Sequence, residues 1–302
     1  MTAYRYRAHA KFNLGLEVLA DRGDGFHEIR TVYQSIALCD HLDVFPARSG
    51  LSFTCSDRAL SGEDNLVLKA ARALATSFGC KKGARLELTK RIPSQAGLGG
   101  GSADAGVALV ALARLWRLPC DWPSLMPIAR SLGSDVPFFL VGGTALGVSR
   151  GEEVYPLPDA PPMHLVIVQP AGVRTPTAEA YRLLDAKLTG DEAPNKILSI
   201  VQGVVEGNLS EHHFFNRFEE VASQADDEVA AVRRALLSAG AVRVLLAGSG
   251  SAWAGLFPDR AQAQEAHRRM AHRGITGILT NTLNREDYWE LTLPGTAKET
   301  LP

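Results

Sequence analysis

The chain has 302 residues, 46% apolar and 22% charged, with a formal net charge of −1. This is the composition of a soluble globular protein of one large or two ordinary domains, and its balance of charge leaves no global field to draw it to nucleic acid or to a membrane. Cys39, Cys55, Cys80 and Cys120 are widely spaced with no C-x-x-C pair, and neither a signal-peptide h-region nor an apolar run of membrane-spanning length is visible, so the expectation is a cytoplasmic protein with reduced thiols rather than a disulfide scaffold, a zinc ribbon or a membrane protein.

Residues 4–20 partly alternate polar and apolar, which predicts an opening strand with Lys11 and Asn13 on one face. The segment Asp21-Arg22-Gly23-Asp24-Gly25 is a turn leading past Phe26 and His27 into a second strand over 31–38. Residues 42–53 are strand material. A helix is predicted over 66–78, with Asp64 or Asn65 as its natural N-cap. Residues 84–89 alternate as a strand and end at Lys90 and Arg91, two cations ahead of a glycine-rich loop.

That loop is Pro93-Ser94-Gln95-Ala96-Gly97-Leu98-Gly99-Gly100-Gly101-Ser102-Ala103, followed by an apolar-periodic run over 105–116. Glycines adopt φ > 0 and leave no Cβ to hold off a ligand. A helix opening just after them aims free N–H groups and the positive end of its dipole at the loop. Strand, glycine loop and helix together make an anion site, most commonly for phosphate. It is not a Walker A loop, which needs Gly-Lys-Ser/Thr at its end, nor the dinucleotide fingerprint, because Ser102 stands where the third glycine belongs. Protein-kinase signatures are also missing from the chain.

Beyond the loop, a helix over 122–132 leads into Gly133-Ser134-Asp135-Val136-Pro137, where Asp135 reads as a cap or as a functional carboxylate. Four prolines between 156 and 162 mark a composition break, placed as the boundary between lobes. A buried-type strand over 165–169, a helix over 178–188 carrying Tyr181 one turn beyond Thr177, and loop with a short helix over 189–210 follow. His212 and His213 are adjacent, so they cannot share a face as a metal pair. A helix over 228–238, a strand over 242–246, a second glycine turn at Gly248-Ser249-Gly250, a strand over 253–257, a helix over 261–273 and a strand over 277–283 complete the pattern. No element is assigned after Asp287.

The loop pattern P-x-x-x-G-L-G-G-G-S resembles the ATP loop of the galactokinase, homoserine kinase, mevalonate kinase and phosphomevalonate kinase (GHMP) superfamily. Its triple glycine is most similar to the branch that phosphorylates a 4-diphosphocytidyl-methylerythritol alcohol in the non-mevalonate isoprenoid route. The segments A-K-F-N-L and D-G-F-H-E-I-R-T-V-Y-Q-S-I match that branch's N-terminal signature, and G-S-D-V-P-F-F its catalytic-aspartate segment. The resemblance implies a two-lobed α/β (α+β) fold: a ribosomal-protein-like N-terminal lobe over 1–158, a ferredoxin-like C-terminal lobe over 159–290, a tail over 291–302, and the active site between the lobes. It implies Lys11 and Asp135 as the catalytic pair. ATP would lie against the loop from Pro93 to Ala103, with Asn65 and Lys90 beside it. Asn13, Phe26, His27, Thr177 and Tyr181 would hold the cytidyl substrate, with Phe26 and Tyr181 stacking on the base. Gly248, Ser249 and Gly250 would close over the phosphates, and F-x-N-x-F-E at 214–219 would be a packing segment.

The branch usually carries tyrosine where Phe26 stands; the phenyl ring keeps stacking area and loses a hydrogen bond. Ala103 and Gly106 stand where serine and alanine are common, which leaves backbone phosphate binding intact. ATP is the implied co-substrate and Mg²⁺ the implied metal, touched at most by Ser102, since no carboxylate cage is visible. A small-molecule cytidyl diphosphate, no nucleic acid, no membrane, and a monomer or weak homodimer are the implied partners. The alternatives are a homoserine- or mevalonate-type kinase and a catalytically silent nucleotide sensor. Lys11, Asn13, Phe26 and His27 weigh against the first, and the intact Lys11 and Asp135 against the second.

Overall fold

The fold is a computed structural model that describes residues 3–170, 177–185, 196–225 and 227–295. It opens with a long antiparallel pair, β1 (Tyr4–Asp21) and β2 (His27–Ala47). The even-numbered residues of β1 from Tyr6 to Val18 are apolar and buried, and His9, Lys11, Asn13 and Glu17 set buried polar groups between them. One strand thus serves a core and a site. β2 runs nine residues past the predicted end of the second strand because its continuation pairs with β1 on one side and with a later strand on the other.

β3 (Leu51–Cys55), α1 (Leu66–Ser77) and β4 (Gly83–Thr89) follow, with β3 and β4 parallel and β4 antiparallel to β2. Asn65 caps α1, its Oδ1 accepting the Val67 N–H at 2.9 Å. α2 (Gly100–Trp116) begins five residues earlier than the apolar periodicity predicted, because glycines of the loop are themselves its first turn. It is the central helix of the lobe, buried from Ala103 to Ala113. α3 (Trp122–Leu132), α4 (Phe138–Val141), β5 (Thr144–Val148) and β6 (Glu153–Pro156) finish this part, with β5 pairing β2 and β6 pairing β5.

The second lobe contains β7 (His164–Val168), α5 (Thr177–Asp185), α6 (Lys196–Glu206), β8 (Phe215–Asn216), α7 (Glu219–Ala225), α8 (Asp227–Ser238), β9 (Arg243–Leu246), β10 (Trp253–Phe257), α9 (Arg260–His272) and β11 (Ile278–Asn281). Its sheet has the order β11-β7-β10-β9, antiparallel throughout. That is the ferredoxin-like arrangement implied by the resemblance. The short β8 crosses to the other sheet and pairs in parallel with β1 at Gly15 and Leu16. Ile197 and Ile200 of α6 press on the same point: a Cβ at Gly15 would lie 2.4 Å from Ile200 Cδ1.

The stretch after Asp287, left without an element by sequence, forms α10 (Arg285–Thr292) and returns to the first lobe. Tyr288 and Trp289 are buried in its core, and Tyr288 Oη donates to the Phe139 carbonyl at 2.8 Å. Among the described residues no helix is long and apolar enough to cross a membrane. Residues 171–176, 186–195 and 296–302, which include parts of the predicted helix over 178–188 and of the tail, lie outside the described set.

β1 also carries a buried histidine. His9 is 1% exposed, with its ring 5.7 Å from that of Tyr288. Burial pushes its pKa down to about 4, and the charges of Arg7 and His41 act in the same direction. The neutral ring contributes stability fully above the unfolded-state value of about 6.5, and that stability drains away as pH falls toward 4. Between pH 7.5 and 4.5 the wild type is expected to lose about 2 kcal/mol more than His9→Leu. Urea denaturation of both proteins at the two pH values checks this, and equal losses would refute it.

Candidate active site

The glycine loop is fixed from two sides by three backbone hydrogen bonds. Lys11 N donates to the Leu98 carbonyl at 3.0 Å, Ser251 N to that of Gln95 at 3.4 Å and Ala252 N to that of Ala96 at 3.3 Å. β1 and the second glycine turn therefore clamp it. Two of its glycines are obligatory. Gly97 has φ +79°, and a Cβ there would lie 1.8 Å from the Ala247 carbonyl oxygen; Gly99 has φ +69° and would meet Phe139 Cζ at 2.9 Å. Gly99 is the N-cap of α2 and, lacking a side chain, gives the helix no capping bond. The first-turn N–H groups of Gly100, Gly101 and Ser102 are thus open to an external anion, whereas Ala103 N already donates to the Gly99 carbonyl.

The second turn is positioned by Asn216. Its Nδ2 donates to the carbonyls of Leu246 at 2.8 Å and Gly248 at 2.6 Å. The sequence places Asn216 in a packing segment; its task became visible only once β8 was seen to lie beside β9.

The resemblance sets Lys90 beside the nucleotide, and the residue does line the cavity that the loop faces. Its ammonium is paired with Asp40 and, at 2.7 Å, with Asp104. Burial pushes the Asp104 carboxyl up to about 8, against the opposing pull of Lys90. Asp40 comes from β2, fifty residues upstream of Lys90, a partner that no local pattern announces.

Across from the loop stands the predicted pair. Lys11 Nζ, on a side chain only 5% exposed, lies 3.6 Å from Asp135 Oδ2 and 2.8 Å from Asn13 Oδ1. Asn13 Nδ2 donates to Thr31 Oγ1 at 2.7 Å, and Thr31 Oγ1 donates to the Gly15 carbonyl at 2.7 Å. This chain fixes the ammonium's direction. Asp135 sits between α3 and α4, and the N-cap of α4 is Pro137 without a side-chain bond, so the carboxylate is not spent on capping. Its other oxygen accepts from Tyr33 Oη at 2.9 Å. Burial, with the charge of Asp135 adding to it, holds the Tyr33 hydroxyl well above its ordinary pKa and keeps it a donor.

Both groups open on one cavity of about 1000 Å³. Lys11, Asn13, Phe26, His27, Asn65, Lys90, Asp135, Tyr181, Gly248, Ser249 and the loop from Pro93 to Ser102 line it. Ala103 is buried behind the wall, and Gly250 is set back in its turn. Thr177 is the first residue of α5, with its side chain outside the described set. Tyr181 stacks on His27 with ring centroids 4.5 Å apart, while Phe26 is half exposed beneath the Arg150 guanidinium at 4.6 Å.

Sequence reasoning missed Tyr33 and Arg150, both in the cavity wall. Tyr33 carried a usable signal: His27, Ile29, Thr31 and Tyr33 alternate along β2, and the register sets Tyr33 opposite Asn13. Arg150 lies on a turn after β5, where periodicity says nothing.

A phosphate-seeking helix N-terminus facing a lysine–carboxylate pair across one cleft, on this two-lobed α/β frame, defines a small-molecule kinase of the GHMP class. Family models bear this out: residues 65–143 match the GHMP kinases N-terminal domain and residues 204–276 the GHMP kinases C-terminal domain. The chain is 45% identical over 261 residues to the 4-diphosphocytidyl-2-C-methyl-D-erythritol kinase of Solibacter usitatus, covering 84% of this chain and 81% of that one. It is 41% identical to the protein of the same name from Pelotomaculum thermopropionicum, covering 92% and 97%. A crystal structure of 4-(cytidine 5′-diphospho)-2C-methyl-D-erythritol kinase superposes with a TM-score of 0.79 at 36% identity, covering 92% of this chain and 98% of that one. Homoserine kinase from Cytophaga hutchinsonii shares the fold, with a TM-score of 0.72 at 20% identity. The chain belongs to the 4-diphosphocytidyl-2-C-methyl-D-erythritol kinase family.

Proposed function

We propose that the protein transfers the γ-phosphoryl group of ATP to the 2-hydroxyl of 4-diphosphocytidyl-2-C-methyl-D-erythritol, giving the 2-phosphate and ADP in the methylerythritol phosphate route to isopentenyl diphosphate. The observation that carries this reading is the Lys11–Asp135 pair opening on the same cavity as the uncapped N-terminus of α2.

Phosphoryl transfer asks for in-line positioning and charge stabilisation more than for a strong base. An alcohol proton, with a pKa near the roughly 15.7 of water, does not pass freely to a carboxylate of pKa about 4. Asp135 accepts it late, as the new O–P bond forms. Tyr33 and Lys11 fix one carboxylate oxygen each, so the carboxylate is held in place while its side chain remains 31% exposed to an incoming hydroxyl. Lys11 also stabilises the negative charge that develops on the transferred group. The open N–H groups of Gly100 to Ser102 take the nucleotide's phosphates, and Gly248 to Gly250 close over them.

The donor set suits Mg²⁺ carried in by the nucleotide. Among the described residues no cluster of three or more His, Cys, Asp or Glu side chains forms a cage, and Mg²⁺ characteristically keeps phosphate oxygens and waters as ligands. Ser102, in the first turn of α2 and in the cavity wall, would contribute an oxygen, and the cation would neutralise phosphate charge. At the other end of the cavity Asn13, His27 and the rings of Phe26 and Tyr181 take the cytidyl end, with Thr177 beside them. The same aromatic end argues against homoserine or mevalonate, which have no base to stack.

ADP release from Mg·ATP with the cytidyl substrate, mevalonate and homoserine tests the reading. Turnover is expected on the cytidyl substrate alone. Phe26→Ala and Tyr181→Ala should each raise KM for that substrate by roughly 5- to 150-fold, the loss of about 1–3 kcal/mol of stacking. Turnover on another alcohol would move the substrate and keep the class; ATP binding without any turnover would leave a nucleotide sensor.

A further inference from the structure

From Gly97 to Gly101 the phosphate loop has one side chain, that of Leu98. The direction of its N–H groups therefore depends on how its two ends are held. Both ends lead to one residue of β2. At the incoming end, Asp40 Oδ1 accepts the backbone N–H of Ile92 at 2.8 Å and that of Arg91. At the outgoing end, the Lys90 ammonium bridges Asp40 Oδ2 to Asp104 Oδ2, in the second turn of α2. Asp40 is fully buried and Asp104 2% exposed. The ammonium sits directly under the loop, 3.3 Å from where a Cβ on Gly100 would be.

We propose that Asp40 is a positioning residue for the nucleotide: through Lys90 it locks the two ends of the phosphate loop to β2 and so sets the aim of the N–H groups. This rests on the reading of that loop as the ATP site. Lys90 acts as a link within the protein, with its charge already met. The opposite arrangement, in which Lys90 is a direct phosphate ligand, makes the two carboxylates competitors of ATP. The two arrangements differ in sign. Removing a carboxylate loosens ATP if Lys90 is a link, and tightens it if Lys90 is a ligand.

Titration calorimetry of Mg·ATP on the wild type, Asp40→Asn and Asp104→Ala reads that sign, with KM for the cytidyl substrate and melting temperature measured beside it. Asp40→Asn is expected to weaken ATP about 10-fold or more, and Asp104→Ala about 3- to 10-fold, from the value of a hydrogen bond to a charged group. KM for the cytidyl substrate should stay within about twofold, because the substrate end of the cavity is untouched. Asp104→Ala removes one oxygen that holds Lys90 together with one buried without a partner, and Asp40 stays as the counter-charge of the ammonium, so the variant is expected to melt lower than wild type and still fold. Weaker ATP binding at an unchanged KM for the cytidyl substrate is a result that a general loss of stability does not give. If Asp40→Asn does not fold, Asp104→Ala decides alone. Unchanged or tighter ATP binding in a folded variant overturns the proposal. Failure of the wild type to bind ATP would instead overturn the reading of the loop.

Discussion

Asp135→Asn is expected to lower kcat by roughly 10³-fold or more while KM for ATP changes by no more than a few-fold, within the range for a lost general base. The amide has the carboxylate's shape, and its oxygen can still accept from Tyr33 Oη, which lies 2.9 Å from the native oxygen. The backbone of the segment stays anchored by the Phe138 N–H to the Asp135 carbonyl at 3.2 Å. Nothing that holds the phosphate loop depends on this side chain. What is lost is the charge facing Lys11 and, in the proposed mechanism, the acceptor for the alcohol proton. Steady-state kinetics with both substrates varied gives the split between kcat and KM. A fall of less than about tenfold in kcat would show that Asp135 does not take the proton in the rate-limiting transition state.

Lys11→Met should cost roughly 10²–10³-fold in kcat, the range for removing one preorganised electrostatic partner of a developing charge. Methionine keeps the aliphatic length that packs against Gly99, where Lys11 Cγ would be 3.0 Å from a Cβ, so the loop should be retained. The ammonium's removal leaves Asn13 Oδ1 without its donor and Asp135 without its ion-pair partner. In the proposed mechanism the two groups act on one transition state, so the double variant Lys11→Met/Asp135→Asn should be scarcely slower than the worse single one. Full multiplicative loss in the double variant would show that lysine and aspartate act independently, and would dissolve the pair as a unit.

Much of the architecture was legible because it is local. The turn at 21–25, the N-cap role of Asn65 and the helix over 122–132 are written in short-range patterns and fell where expected. The glycine loop was legible for the same reason, since an anion site at a helix N-terminus is made of consecutive residues. Its helix, however, began within the glycines, where a pattern keyed to apolar side chains is blind. α10 was missed because an eight-residue helix is decided by what Tyr288 and Trp289 dock against, the core of a lobe most of whose other residues lie more than a hundred positions away.

By itself the sequence marked the glycine loop as an anion site and, through resemblance, pointed to the lysine, the aspartate and the family, of which the family is shown. Those residues are set by chemistry, and chemistry fixes the residue type. The tertiary structure decided who stands beside whom: Tyr33 on Asp135, Asn216 under the second glycine turn, and Asp40 and Asp104 on Lys90. These partners come from different strands and helices, so no spacing along the chain encodes them. A charge such as that of Lys90 reads as available in a linear sequence. Only folding shows that it is already paired, because burying an ammonium without a counter-charge would cost more than the fold can bear.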